Sequence, residues 1–239
     1  MIKIVHTEIQ GTSHIANDIP CQDKTMYICN DLYSCVALAD GAGSCRFSHI
    51  GAQIAVEYVC NYFKCNQFVN ISEFLEGLKN SLIESGYPLN TLSSTLLFAH
   101  IIDNRVTIGH IGDGVIIAFD KGKPYVLSYP ENGNESNITF FTTDKNVHQH
   151  FRLKSLEFPR NNEMSIFLMS DGGAELFYNK ETNSVANALN TISYWLKEEN
   201  VNEINEALFV NLSEIAKVST NDDVSIIGIR KAPTNTINE

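Results

Sequence analysis

Acidic residues in this chain sit where apolar runs stop. Residues 32–38 lead into Ala39-Asp40-Gly41-Ala42-Gly43-Ser44, and the same grammar, apolar run then Asp-Gly, recurs at Asp113-Gly114 and Asp171-Gly172. A related corner, Asp222-Asp223, precedes the last apolar run. A lone carboxylate taken out of water is costly unless a cation or a polar partner compensates it. Any one Asp-Gly reads at least as well as a plain turn. Four acidic corners on strand ends point instead to a site for a hard metal ion. Such an ion takes oxygen from Asp and from backbone carbonyls and keeps several waters. Glycine at 41 lets the backbone come close enough for its carbonyl to serve as a ligand. Two ions bridged by one carboxylate, about 3.5–4 Å apart, acidify a bridging water and clamp a phosphoryl group for in-line displacement. With no His/Cys set beside the carboxylates, manganese or magnesium suits the site better than zinc.

The elements that must position these residues follow from periodicity and turn signals. Residues 2–10 read as a strand and Gly11-Thr12-Ser13-His14 as a turn out of it. Gln22-Asp23-Lys24 opens a second strand, and Asn30-Asp31 turns it into a third over 32–39. In that antiparallel hairpin Asp23 and Asp40 lie at the same end, so the two carboxylates are predicted to approach each other. Helical spacing runs over 48–65, with Ser48 as N-cap, and again after Ser72 as far as Gly86. Four β runs follow, at 94–102, 105–111, 115–119 and 123–128, with hairpin turns at Asp103-Asn104 and Lys121-Gly122. The span 130–162 is polar, Phe140-Phe141 and 151–158 apart, and reads as a surface excursion or flap. A buried strand over 165–169, two amphipathic helices around 185–196 and 204–215, a last strand over 224–229 and a polar tail complete the chain. Strands, a helix pair, strands, a helix pair and a strand make one α+β domain in layers, with mainly antiparallel sheets.

Composition narrows the class. The chain has 239 residues, 44% of them hydrophobic, and a net charge of -11. That acidity, with no Lys/Arg run, argues against nucleic acid or an anionic membrane as partner. No apolar stretch reaches the roughly 18 residues of a membrane span, and the first residues lack signal-peptide character. A cytoplasmic location is the expectation. The six cysteines have no zinc-ligand spacing and are expected to be reduced thiols.

The ordered set Gly11-x-Ser13-His14 with Gln22-Asp23, Asp40-Gly41-Ala42-Gly43, Ser93-Ser94-Thr95-Leu96, Gly112-Asp113-Gly114, Ser170-Asp171-Gly172 and Asp222-Asp223-Val224-Ser225 resembles the metal-dependent serine/threonine protein phosphatases of the protein phosphatase 2C type, in their bacterial branch. The resemblance runs over nearly the whole chain. It implies a four-layer α-β-β-α sandwich over residues 1–231, a flap insertion at about 120–162 and a polar tail at 232–239. It also implies two Mn or Mg ions and a weaker third. Asp40 would bridge the pair with the Gly41 carbonyl on one ion, Asp171 and Asp222 would hold the other, and Asp23 would act through metal-bound water. Asp113, with Asp171, would hold the third.

Three positions depart from the family's pattern. The loop 17–20 has no arginine to bind phosphate, Ala42 stands where many members have a histidine, and Gln22 replaces an acidic residue. His14, Arg46 and His49 are the candidates to act in their stead, His14 in catalysis and the other two in substrate binding. His100 and His110, inside strand runs, read as packing residues. The function this implies is hydrolysis of phosphoserine or phosphothreonine in proteins by a metal-bridging hydroxide. The phosphoprotein partner would be a serine/threonine kinase or its target. The other reading is a pseudophosphatase that binds a phosphoprotein or kinase without turnover.

Overall fold

Strands that must be covered on both faces shape this molecule. The computed structural model describes residues 1–131, 139–159 and 162–233. In chain order the elements are β1 (Ile2–Ile9), α1 (Thr12–Ala16), β2 (Lys24–Cys29), β3 (Tyr33–Ala39), α2 (Ser48–Cys65), α3 (Ile71–Glu84), a single 3-10 turn (Leu89–Thr91), β4 (Leu96–Ile102), β5 (Arg105–Ile111), β6 (Val115–Asp120) and β7 (Lys123–Ser128). They continue with α4 (Val147–His150), β8 (Arg152–Glu157), β9 (Met164–Met169), α5 (Asp171–Phe177), β10 (Tyr178–Asn179), β11 (Ser184–Val185), α6 (Asn187–Glu198), α7 (Val201–Ser219) and β12 (Val224–Lys231). One five-stranded sheet runs β1-β12-β9-β6-β7 and the other β2-β3-β4-β5-β8, with every pairing antiparallel. The expected sandwich of two antiparallel sheets between helix pairs is the observed architecture.

Three apolar layers hold it together. Val36, Leu38, Leu97, Ile108, Ile116, Ile166, Leu168 and Ile227 fill the space between the sheets. The alternate residues Cys35, Ala37 and Ala39 of β3 face Val56, Val59, Cys60 and Phe63 of α2. On the other side Phe167, Val224 and Ile226 meet Leu189, Leu196, Leu208 and Leu212 of α6 and α7. Burial on both faces is why β3 reads as an unbroken apolar run and not as an alternation. Among the described residues no helix is long and apolar enough to cross a membrane. All six cysteines are free thiols, Cys35 and Cys60 buried and Cys29 and Cys65 exposed.

Several details differ from the sequence expectation. Gly11 to His14 is no simple turn, because Thr12–Ala16 forms a short helix. The second strand begins at Lys24, so Asp23 precedes it. Ser48 is the first helical residue of α2 and not its N-cap; Phe47 takes that place without a side-chain cap. α3 starts before Ser72, capped by the Asn70 side chain accepting from the Glu73 amide. Asp171 opens a helix that the Gly172-Gly173 pair had concealed. The polar span 130–162 contains β8, an edge strand of one sheet, whereas the expected strand at 123–128 is β7, an edge strand of the other. Phe151 and Leu153 pack in the α2–α3 core layer, as do Phe140 and Val147. Residues 132–138 and 160–161 of that span, and 234–239 of the tail, lie outside the described residues.

α2 is seated on the loop before β4 by a close approach. A Cβ built at Gly51 would stand 1.9 Å from the Leu92 carbonyl oxygen. Gly51→Ala gains helix propensity but must displace backbone, and we expect a net loss of about 1–3 kcal/mol in urea unfolding. His100 is a packing residue as expected. It is 1% exposed and stacks on Phe63 with centroids 4.0 Å apart, and neither ring nitrogen has a hydrogen-bond partner. Burial pushes its imidazole down to about 4, so the folded state holds it neutral. The unfolded chain takes up the proton from about pH 6.5 downward, which costs the fold stability as pH falls. His100→Phe should therefore unfold at a higher temperature than wild type, with the difference growing toward acid. An unchanged difference between neutral and acid pH would contradict this.

Candidate functional site

The β2–β3 hairpin brings two of the acidic residues together. Lys24 pairs with Ala39, so Asp23 and Asp40 stand side by side just beyond the last rung. Asp40 is held by one residue across the sheet: its amide donates to Thr95 Oγ1 at 3.0 Å, and its carbonyl accepts from the Thr95 amide at 2.8 Å. Gly41 bridges Ser94, and its amide donates to the Gln22 carbonyl at 3.2 Å. The Ala42 amide donates to the Ser93 carbonyl at 2.9 Å. A Cβ at Gly41 would meet Ser48 at 2.8–3.0 Å, which is why α2 can begin against this corner only if residue 41 has no side chain.

Asp171 and Asp222 come from the other sheet, and Asp113 from the connection between the two. β9 ends at Ser170, whose hydroxyl oxygen accepts from the Gly173 amide at 3.3 Å and from the Ser225 amide at 3.1 Å. Asp171 is thereby fixed at the head of α5, and its Oδ1 accepts from the Gly172 amide at 2.6 Å. Asp222 lies exposed at the entry to β12, its Oδ1 accepting from the Asp223 amide at 2.9 Å. Asp113, between β5 and β6, accepts a hydrogen bond from the Thr139 hydroxyl.

Electrostatics tie these groups into one cluster. Burial, then the charges of Asp23 and Asp171, a hydrogen bond with Asp171 and the charge of Asp222, raise the Asp40 carboxyl well above the carboxylate range. Asp171 is pushed up to about 6, first by burial and then by Asp113, although its hydrogen bond with Asp40 works the other way. Asp23 is pushed up to about 8 by burial; the nearby Ser225 and Ser170 hydroxyls oppose this, and the charges of Asp223 and Asp171 add to it. It is 0% exposed, and neither oxygen receives a well-aligned hydrogen bond. Two buried orphan carboxylate oxygens beside a raised carboxyl pair fit a cation that takes oxygen donors.

Among the described residues, no three His, Cys, Asp or Glu side chains stand ready-made around a common ion position. The chemistry of the donors accounts for that. A backbone carbonyl and waters belong to the expected donor set as much as side chains do, so the carboxylates need not by themselves enclose an ion. A cavity of about 700 Å³ lies elsewhere, lined by Cys29, Asn30, Asp31 and Leu32 at the opposite end of the hairpin.

The three substrate-side candidates are placed differently from one another. His14 is buried, 7% exposed, with Nδ1 2.9 Å from Asp223 Oδ1. Arg46 is exposed and lies over the Phe47 ring, 5.2 Å from its centroid. His49, in the first turn of α2, is half-buried, and burial and then the charge of Lys24 lower its pKa. Thr95, Ser170 and Asp223 lie in the motifs that carry the resemblance, which assigns them no role; all three bind backbone around the acidic corners. A Ser before Asp-Gly-Gly is also a helix-start pattern, a signal for Ser170.

Comparison with known proteins now bears on the site. The chain resembles in fold the serine/threonine phosphatase of S. agalactiae, with a TM-score of 0.66 at 16% identity over 96% of this chain and 99% of that one. RsbX in complex with magnesium gives 0.62 at 16% identity, over 96% and 94%. The catalytic domain of the serine/threonine phosphatase PstP in complex with two manganese ions gives 0.64 at 16% identity, over 96% and 98%. No curated protein matches the sequence. The family model described as Protein phosphatase 2C matches residues 10–209, a span that carries Asp23, Asp40, Asp113 and Asp171 on their strand ends, and the chain therefore belongs to the protein phosphatase 2C family.

Proposed function

We propose that this protein hydrolyses phosphoserine and phosphothreonine in proteins, using two Mn or Mg ions and a weaker third. The observation that carries the reading is Asp23: a fully buried carboxylate, neither oxygen receiving a well-aligned hydrogen bond, beside Asp40 and within reach of the charge of Asp171. Family membership supports the reaction class. PstP with two manganese ions and RsbX with magnesium, which share the fold, support the choice of metal.

In this reading Asp40 would be shared by the pair of ions, the Gly41 carbonyl would help hold one of them and Asp171 and Asp222 the other. Asp23 would act through water, and Asp113 with Asp171 would hold the third ion. When bound, the ions would supply an acidified water as nucleophile toward phosphorus and positive charge for the phosphoryl oxygens. The residues of this chain do the positioning. Thr95 fixes the backbone of Asp40 from both sides, Ser170 fixes the start of α5, and Asp23 excludes other partners by its burial. His14 Nδ1 lies 2.9 Å from Asp223 Oδ1 without an aligned hydrogen bond, and His14 stays the candidate for a catalytic role beside the metal site. Arg46 and His49 flank the start of α2 as substrate contacts. The partner is a phosphoprotein, a serine/threonine kinase or its target, and the acidic surface is consistent with a reaction that involves neither nucleic acid nor membrane. The domain is taken as residues 1–231 and the location as cytoplasmic. Retention of every expected metal-binding carboxylate speaks against the non-turnover reading.

Asp40→Asn and Asp171→Asn should each lower manganese-dependent hydrolysis of a phosphopeptide by on the order of 100-fold, about 3 kcal/mol of barrier. Chelator should abolish the wild-type rate. Full activity in both variants, insensitive to chelator, would overturn the assignment. The raised carboxyls also fix a pH dependence. Each is held protonated in the metal-free fold and is more acidic in the unfolded chain, so the fold binds more protons between the two values. Metal-free stability therefore falls as pH rises from about 4 toward about 8, whereas bound metal compensates the ionised carboxylates. The gap in melting temperature between manganese-loaded and chelated protein should widen from about pH 5.5 to about pH 8. The buried histidines lose stability in the opposite direction and cancel in that gap. A gap that stays constant or narrows would contradict the metal assignment.

A further inference from the structure

Asp223 has no place in the proposed ligand set, yet its carboxylate gathers three separate segments around that set. It is 2% exposed. Oδ1 accepts from the Gly11 amide at 2.6 Å and lies 2.9 Å from His14 Nδ1. Oδ2 accepts from the Gln22 amide at 2.5 Å. Gln22 immediately precedes Asp23, and Asp223 immediately follows Asp222. One carboxylate thus joins the residue before one proposed metal-site group to the residue after another, although they are about 200 positions apart. The same corner is laced by the Ser13 amide and hydroxyl donating to the Asn221 carbonyl, at 3.1 and 2.7 Å, and by the Thr12 hydroxyl donating to Asn221 Oδ1 at 3.0 Å.

We propose that Asp223 is the positioning residue of the metal site: its carboxylate sets the distance and orientation between Asp23 and Asp222. His14 Nδ1 borders the same clamp, 2.9 Å from Oδ1 without an aligned hydrogen bond. The geometry calls for a carboxylate at this point. Two backbone donors converge on its two oxygens from different directions, and a group with two acceptor oxygens meets both. An amide in its place has one oxygen, and its NH2 would face an N–H. The short α1 helix follows from the same contact, since Gly11 and His14 are drawn to one carboxylate within a single turn. This assignment rests on the metal-site reading above, because it is the two metal-site carboxylates that the clamp registers.

The test compares wild type with Asp223→Asn, Asp223→Ala and His14→Ala. Manganese affinity is measured by titration calorimetry, and amide hydrogen exchange at Gly11 and Gln22 is measured on the metal-free proteins. Residues that orient a metal's ligands typically account for about 10–100-fold in affinity or activity. Both Asp223 variants should lose manganese affinity in that range, with unchanged far-ultraviolet circular dichroism, and should recover phosphatase activity as manganese is raised. His14→Ala keeps both backbone bonds and should lose less. The Gly11 and Gln22 amides should exchange faster in the Asp223 variants and near wild-type rates in His14→Ala. Folded Asp223 variants with wild-type manganese affinity would overturn the proposal, as would unchanged exchange at both amides. Should Asp223→Ala not fold, the nearly isosteric Asp223→Asn decides. If wild type itself binds no manganese, the metal-site reading fails and the positioning role fails with it, whereas loss confined to the variants separates the two.

Discussion

Like charges held close together out of water are what this structure has to manage. Asp23, Asp40 and Asp171 come from both sheets, and burial is the leading cause of the upward shift at each. A side chain alone would turn away from such a place. Here the backbone leaves it little freedom. Asp40 is hydrogen-bonded through its own amide and carbonyl to Thr95, and Asp171 follows a Ser170 whose hydroxyl oxygen accepts two amide N–H groups. The sandwich provides the stiffness behind those bonds, because β3 and β9, which lead into Asp40 and Asp171, are packed on both faces. Electrostatic preorganisation of this kind is useful where the missing charge is supplied by a ligand; otherwise close carboxylates raise one another's pKa.

The parts of this arrangement that were legible in the sequence are those governed by pairing and periodicity. Placing Asp23 beside Asp40 needed only a turn at Asn30-Asp31 and the equal length of two strands, and Lys24 indeed pairs with Ala39. The four layers followed from the order of strands and helix pairs, each long enough for its period to show. What stayed hidden was decided by contacts distant along the chain. α1 is five residues long and gathers round a carboxylate more than 200 positions away. α5 begins with Asp-Gly-Gly, a turn pattern in isolation, and becomes helical under the Ser170 cap. β8 looked like part of a polar excursion because only one of its edges is paired, with β5, and its residues are mostly partly or fully exposed.

That excursion is nevertheless tied to the acidic corners. Arg152, at the start of β8, donates to the Gly112 carbonyl at 3.2 Å, one residue before Asp113, and its Nε lies 3.0 Å from Glu131. His150 reaches the same glutamate at 3.1 Å and stacks on Phe140 with centroids 3.3 Å apart. At the other edge the Thr142 amide donates to the Ser94 carbonyl at 2.8 Å, next to the Gly41 bridge. The polar segment is therefore fastened at two points beside the proposed ligands, whatever its sequence between them.

The absence of a histidine at position 42 has to be weighed against this backbone framework. Ala42 is 8% exposed, and its amide donates to the Ser93 carbonyl at 2.9 Å, continuing the bridge that holds Gly41. What residue 42 contributes to the metal corner is thus its main chain, which any non-proline residue supplies. Its side chain can change without moving Asp40 or the Gly41 carbonyl. Metal binding and leaving-group protonation are in this sense separable devices set on one turn. Holding a cation demands the whole hydrogen-bonded corner, whereas delivering a proton demands a single group within reach of the leaving oxygen. The departure at Ala42 therefore alters the second device and leaves the first intact, so it carries little weight as an argument for a protein that has lost its metals.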